Sequence, residues 1–242
     1  MLGLTVVAGP EWAQRVAAEL AHRLRRQPRL RLCLPAGDTP APVYARLVEL
    51  NRLGQAPFGQ ATIVQLDEYV GLESSDPARC AARLRRELLD LIDPGPATFH
   101  PILVDELPPA AAAEAHEAIA AEGLDLVLLG LGLNGHVGLN EPGSEADGRT
   151  RVVELTPASR AGAIERYGAG VVPQLGVTLG LAHLLASTEI WLLVTGERKA
   201  EILRRALEEP ESSDCPASFL RRHPRLRILA DEAAAASLRS RA

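Results

Sequence analysis

The sequence predicts an α/β fold: a three-layer sandwich in which a mostly parallel sheet lies between two layers of helices. Two patterns carry that prediction. Apolar runs of strand length alternate with amphipathic segments of helix length, the signature of βαβ units. One of those runs, Leu124 to Leu129, is almost wholly apolar, as befits a strand buried on both faces of a parallel sheet. A third observation sets the domain count. No Gly/Ser linker and no internal repeat interrupts the 242 residues, so residues 1–242 are expected to form a single domain with a Rossmann-like sheet.

Taken in order, Met1 to Pro10 lacks a basic leader and meets Glu11 at once, so it reads as a short strand and not as a signal peptide. Trp12, Val16, Leu20 and Leu24 recur every fourth position and predict a helix over 11–26, ended before Pro28. A strand follows at 29–34. Thr39 and Pro40 read as the cap and first residue of a helix running to about Leu53. Residues 61–66 predict a strand, 77–92 a helix, 98–104 a short strand and 109–121 an alanine-rich helix. After the strand at 124–129 come a helix near 176–186, a strand at 190–195, a helix at 197–208, a strand at 226–230 and a last helix.

Composition excludes several functions. The 26 basic and 31 acidic side chains leave a formal charge of −5, against a nucleic-acid partner, which selects for basic excess. Hydrophobic residues reach 47%, enough for a sizeable core. Cys33, Cys80 and Cys215 are far apart and form no C-x-x-C pair. That argues against a disulfide framework or zinc ribbon and for a reducing, cytoplasmic compartment. Gly168 to Thr188 carries no charged side chain and is long enough to span a bilayer, but it includes Pro173, Gln174, His183 and four glycines, so no membrane is expected. The histidines outside the loop described below occur singly, and no metal site is expected. Arg83, Arg85 and Arg86, close to Glu87 and Asp90, read as a solvated helix face.

In open parallel sheets ligands bind outside the carboxyl ends of the strands, so four strand ends matter. Leu34-Pro-Ala-Gly-Asp-Thr-Pro40 runs from a strand through a glycine turn into a helix start and leaves backbone N–H groups free to cradle an anion. Asp38 within it would repel a phosphate unless its side chain faces away. In Gln65-Leu-Asp-Glu-Tyr-Val-Gly71, adjacent carboxylates point to opposite sides; one can face the crevice as a base while the other braces the loop. Gly130, Gly132 and Gly135 spell G-x-G-x-x-G, yet Gly138, Pro142 and Gly143 follow too soon for the helix that a dinucleotide site requires. That segment instead gathers Asn134, His136, Asn140 and Glu141, two of the chain's three asparagines among them, in a loop suited to proton transfer. The fourth end is Val194-Thr-Gly-Glu-Arg-Lys-Ala200. Of 26 basic residues only Lys199 is lysine, and it stands at a helix start, where a cation is unfavourable without a bound anion.

With these residues in view, the chain resembles the glucosamine-6-phosphate deaminase (isomerase) family over nearly its whole length. The matching stretches are Ala36-Gly-Asp-Thr-Pro40, Leu66-Asp-Glu-Tyr-Val-Gly-Leu72, the loop from Gly130 to Gly143, Thr150-Arg151, Thr195-Gly-Glu-Arg-Lys199 and Pro216-Ala-Ser-Phe-Leu220. The resemblance implies that Asp67 is the base that moves a proton between C2 and C1 of an opened sugar. It implies that His136 assists ring opening, oriented by Glu141 and Asn134. Gly37, Asp38 (through its backbone) and Thr39, with Lys199, would hold the 6-phosphate. The implied reaction turns an amino-hexose 6-phosphate and water into a ketohexose 6-phosphate and ammonia, with no cofactor. The implied partner is a small sugar phosphate, and monomer and homo-oligomer both stay open.

Several positions depart from the family pattern. A glycine is usual where Asp38 stands, and Asn134 replaces an aspartate of some members. The lid region from Arg160 to Pro173 aligns poorly, with Arg166 as the candidate phosphate ligand. Val153 stands where regulated members carry lysine, so no such regulation is expected. Gly138 to Gly143 and Val177 to Leu181 are also similar to the galactosamine-6-phosphate branch, which leaves the epimer open. Two rivals remain. One is a 6-phosphogluconolactonase, whose usual D-G-H-x-A-S-L-F string is absent. The other is a non-catalytic sugar-phosphate sensor, whose DNA-binding helices have no room before the first strand.

Overall fold

Side chains along each central strand alternate between two apolar cores, and this alternation puts helices on both faces of the sheet. Leu32, Leu34, Leu126, Leu128, Trp191 and Leu193 pack with Trp12, Leu20 and Tyr44 on one face. Cys33, Val127, Leu129, Leu192 and Val194 pack with Leu184, Leu203 and Phe219 on the other. These positions come from a computed structural model, which describes residues 3–161 and 172–239.

The strands are β1 (Gly3–Val7), β2 (Arg31–Leu34), β3 (Thr62–Gln65), β4 (Asp67–Val70), β5 (Thr98–His100), β6 (Leu126–Gly130), β7 (Arg151–Glu154), β8 (Leu175–Thr178), β9 (Ile190–Val194) and β10 (Leu226–Asp231). The helices are α1 (Gly9–Arg26), α2 (Ala41–Arg52), α3 (Cys80–Glu87), α4 (Pro109–Ala121), α5 (Leu181–Ala186), α6 (Ala200–Glu208) and α7 (Glu232–Ala235). Seven strands form one sheet in the order β1-β10-β9-β6-β2-β3-β5, and every pairing in it is parallel. From β2 the chain steps outward through β3 to β5, then returns to β6 on the other side of β2 and steps outward again through β9 and β10. The carboxyl ends of β2 and β6 therefore diverge at a topological switch point, where such sheets open a crevice.

A second sheet was not anticipated from sequence. β4, β8 and β7 form a small antiparallel sheet in which Asp67 and Arg151 both lie opposite Thr178. The expected helix at 176–186 is thus a strand at Leu175–Thr178 followed by the short α5. Val177 packs with Ile102 and Ala112 and pairs in the small sheet, while Leu181 and Leu184 of α5 pack in the large core, so partners distant in the chain divide the segment. Smaller corrections concern helix ends. α2 begins at Ala41 with no side-chain cap, so Thr39 does not cap it. The helix expected over 77–92 is α3 followed by a 3-10 turn at Leu89–Leu91. The last helix is only α7. No described helix is long and apolar enough to cross a membrane.

Candidate active site

Only Leu66 separates β3 of the large sheet from β4 of the small one. Leu66 ties the two together: its N–H donates to Leu34 O of the large sheet at 3.1 Å and its carbonyl accepts at 3.0 Å from the N–H of Leu179, just past β8 of the small one. Asp67 then starts β4 at the crevice rim. Its neighbour Glu68 is fully buried and accepts hydrogen bonds from the N–H groups of Tyr69 (2.8 Å), Cys80 (2.9 Å) and Ala81 (2.9 Å). Arg79 adds an ion pair at 3.4 Å. Of the two carboxylates, Asp67 lines the cleft and Glu68 fastens the loop to the start of α3. Gln65 secures the turn from behind: its Nε2 donates to Asp67 O at 2.7 Å and to Glu68 Oε2 at 3.0 Å, and its Oε1 accepts from Ile102 N at 2.9 Å.

The loop after β6 folds on itself and opens no helix, which removes the dinucleotide reading. Gly132 N donates to His136 O at 2.9 Å, and a Cβ on Gly132 would lie 2.5 Å from the imidazole, so only glycine fits beneath the ring. Gly135 has φ +88°, and a Cβ there would meet Cys215 Sγ at 2.7 Å. The segment around Pro216 locks this turn, with Ala217 N donating to Gly135 O at 2.9 Å.

His136 Nδ1 lies 3.6 Å from Glu141 Oε2 and 3.3 Å from Ser159 Oγ. Asn134 ties the group together, accepting from His136 N at 3.2 Å and donating to Glu141 Oε2 at 2.8 Å. Burial opposes ionisation of Glu141, but His136, then Ser159 and Asn134, outweigh it and hold the carboxyl at about 2. A carboxylate fixed in this way orients the imidazole. Sequence reading missed Thr156 and Ser159. Thr156 donates to Glu141 Oε2 at 3.1 Å and accepts from Ser159 N at 3.3 Å. The signal was present, since Thr156-Pro157 repeats the Thr-Pro pair noted at Thr39-Pro40.

At the other end, Gly37, Asp38 and Thr39 follow β2, with Tyr44 Oη donating to Pro35 O at 2.6 Å to pin the base of that turn. Gly196 and Lys199 follow β9. Gly196 N donates to both carboxylate oxygens of Asp231, at 3.1 and 3.0 Å, and Asp231 Oδ1 also accepts from Ala234 N at the start of α7. Arg83, expected on a solvated face, is instead buried and pairs with Asp38 and Glu87. Arg85 and Arg86 do face solvent.

One cleft of about 700 Å³ joins these ends, lined by Gly37, Asp38, Thr39, Asp67, Asn134, His136 and Lys199. Glu141 stands directly behind His136. Arg166 lies outside the described residues.

The sequence profile of the family described as glucosamine-6-phosphate isomerases/6-phosphogluconolactonase matches residues 8–228. The chain belongs to that family. Within it, the chain is 42% identical to the glucosamine-6-phosphate deaminase of Rhodopirellula baltica, over 94% of this chain and 92% of that one. It is 41% identical to the deaminase of Shewanella loihica, over 94% and 86% of the two chains. Among solved structures, a monomeric glucosamine-6-phosphate deaminase superposes with a TM-score of 0.92 at 33% identity, covering 98% of this chain and all of that one. The 6-phosphogluconolactonase of Thermotoga maritima superposes with a TM-score of 0.77 at 19% identity, over 96% of this chain and all of that one; it shares the fold.

Proposed function

We propose that the chain is a cytoplasmic deaminase, one domain over residues 1–242, that converts glucosamine 6-phosphate or its galacto epimer and water into the ketohexose 6-phosphate and ammonia. The observation that carries this reading is the single cleft in which Asp67, His136 and Lys199 meet. The deaminases of 41–42% identity support it over a lactonase, whose solved members share little beyond the fold.

In this reading the phosphate sits on the N–H groups of the Gly37–Thr39 turn and beside Lys199. Backbone donors at a helix start together with a cation match an anion without needing another charge. His136, held by Glu141 and Asn134, carries the proton of the C1 hydroxyl to the ring oxygen as the sugar opens to its aldehyde. Asp67 takes the C2 proton and returns it to C1 while the C1 oxygen gains a proton and the amine gives one up, which leaves a hydroxyl at C1 and an imine at C2. Water adds there, the C–N bond breaks, and ammonia leaves. Each step uses a positioned acid or base, so the chain's own side chains suffice for the proton traffic.

The test is ammonia release from glucosamine 6-phosphate and galactosamine 6-phosphate, with unphosphorylated glucosamine as the control. Release from at least one phosphorylated substrate is expected, and none from the control at equal concentration. Tight binding of both phosphorylated sugars with no ammonia would overturn the enzyme reading in favour of a sensor.

A further inference from the structure

An acidic side chain in an anion cradle needs an explanation, and the structure supplies one. Asp38 lines the cleft within the turn after β2, with its side chain 64% exposed. Arg83 stands behind that turn on α3, its side chain 7% exposed, and is not among the described residues that line the cleft. Both terminal nitrogens of Arg83 lie 3.3 Å from Asp38 Oδ1, while Nε donates to Glu87 Oε1 at 2.9 Å. Glu87 fixes one edge of the guanidinium, and the other edge turns toward the anion loop. The start of α3 is fixed as well, because the N–H groups of Cys80 and Ala81 end on Glu68. A planar fork held in this manner meets a carboxylate with two donors, which an ammonium cannot imitate.

We propose that Arg83 is a positioning residue for phosphate binding: it draws the Asp38 carboxylate toward α3 and offsets its charge, so that the backbone of the turn stays open to an anion. This rests on the reading of the cleft as a sugar-phosphate site. It also assigns α3 a double task, since the helix is tied at its start to the loop of Asp67 and through Arg83 to the loop of Asp38.

The experiment is a double-mutant cycle on the full chain with R83M, D38N and R83M/D38N. Fructose 6-phosphate binding is measured by calorimetry, and KM and kcat with glucosamine 6-phosphate. R83M should raise Kd and KM about tenfold, the effect of leaving one carboxylate unscreened beside a phosphate, with kcat reduced much less. In the D38N background the same change should cost less than about threefold, because the charge that Arg83 offsets is gone. An equal loss in both backgrounds would show that Arg83 acts on the phosphate or the helix directly, and would overturn the proposal. So would an R83M protein that binds as tightly as the unaltered one. Should R83M fail to fold, R83K takes its place, with a smaller loss that D38N must still relieve; a loss that D38N leaves intact overturns the idea. Fructose 6-phosphate binding without ammonia release would overturn the deaminase reading alone and leave the cycle decisive. No binding by the unaltered protein would overturn both.

Discussion

The two ends of the cleft are built from different materials. In the proposed reading the anion end offers the backbone N–H groups of the turn after β2 together with the Lys199 side chain, and side chains such as Tyr44, Asp231 and Arg83 support the turns after β2 and β9 from outside. At the far end the groups are side chains, and each is held by others: His136 by Glu141, Asn134 and Ser159, with Thr156 on Glu141. Backbone donors keep their direction when a single side chain changes. A network of side chains does not, because removing one member leaves its partners with unmet hydrogen bonds in a partly buried site. The anion end should therefore govern affinity, and the far end should govern rate.

The largest expected effect is at Asp67. D67N keeps the shape of the side chain and removes its basicity, and kcat should fall about 10³-fold, within the range for loss of a positioned base. The fold should survive, because Glu68 and Gln65 hold the turn and the amide keeps the shape of the side chain. Ammonia release and a thermal melt on the same preparation check both statements. A variant that retains a tenth of the activity would remove Asp67 from the role of base.

Next come two variants that test the contrast itself. E141Q replaces the charged partner of His136 with an amide that can no longer accept well from both Asn134 and Thr156. A fall in kcat of about 10- to 100-fold with little change in KM is expected, the size of a charged hydrogen bond. K199A should do the opposite and raise KM for the phosphorylated substrate about 10- to 100-fold while kcat changes far less, for the same energetic reason. Steady-state kinetics on the pair decide the matter. If E141Q acts on KM and K199A on kcat, the division of the cleft is wrong.

The same division explains what could be read from the sequence. The large sheet was legible because its strands are apolar runs fed by helices of clear period, as at Leu124 to Leu129 and at Trp12 to Leu24. The turn after β2 was legible as a wall of the cleft because it stands at the carboxyl end of a parallel strand. The small antiparallel sheet was not legible. Its strands are four residues long, and each carries a mixed pattern set by neighbours far away in the chain: Asp67–Val70 pairs with Leu175–Thr178, which no local signal announces. Arg83 was misjudged for the same reason. Its burial depends on the turn around Asp38, brought to it by the fold from 45 residues away. Thr156 and Ser159 were missed although a Thr-Pro pair marked them, because such a pair was read only at Thr39-Pro40, and there as a helix cap.

The smallest effect on the reaction, and a clear one on stability, is expected behind the Asp67 turn. His116 is buried on α4 and donates from Nε2 to Gln65 O at 2.7 Å, while its Nδ1 has no partner among the described residues. Burial lowers its pKa to about 4; the bond to Gln65 opposes this, and the nearby His100 and His183 add to it. The unfolded chain then binds a proton to this ring near its ordinary pKa of 6.5, whereas the folded chain does so only near 4. Its contribution is complete above about pH 6.5 and is lost as pH falls toward 4, amounting to about 3 kcal/mol across that window. H116Q retains a donor for Gln65 O and cannot titrate. It should lower stability at pH 7.5 by about 1 kcal/mol through imperfect packing, yet flatten the decline between pH 6.5 and 4 in urea unfolding series. Ammonia release at pH 7.5 should change far less than in D67N, because the imidazole supports the turn through one backbone bond while Gln65 and Glu68 carry the others. An unaltered acid slope in H116Q would assign that slope to other groups, and a loss of activity as deep as in D67N would mean that the base depends on this single bond.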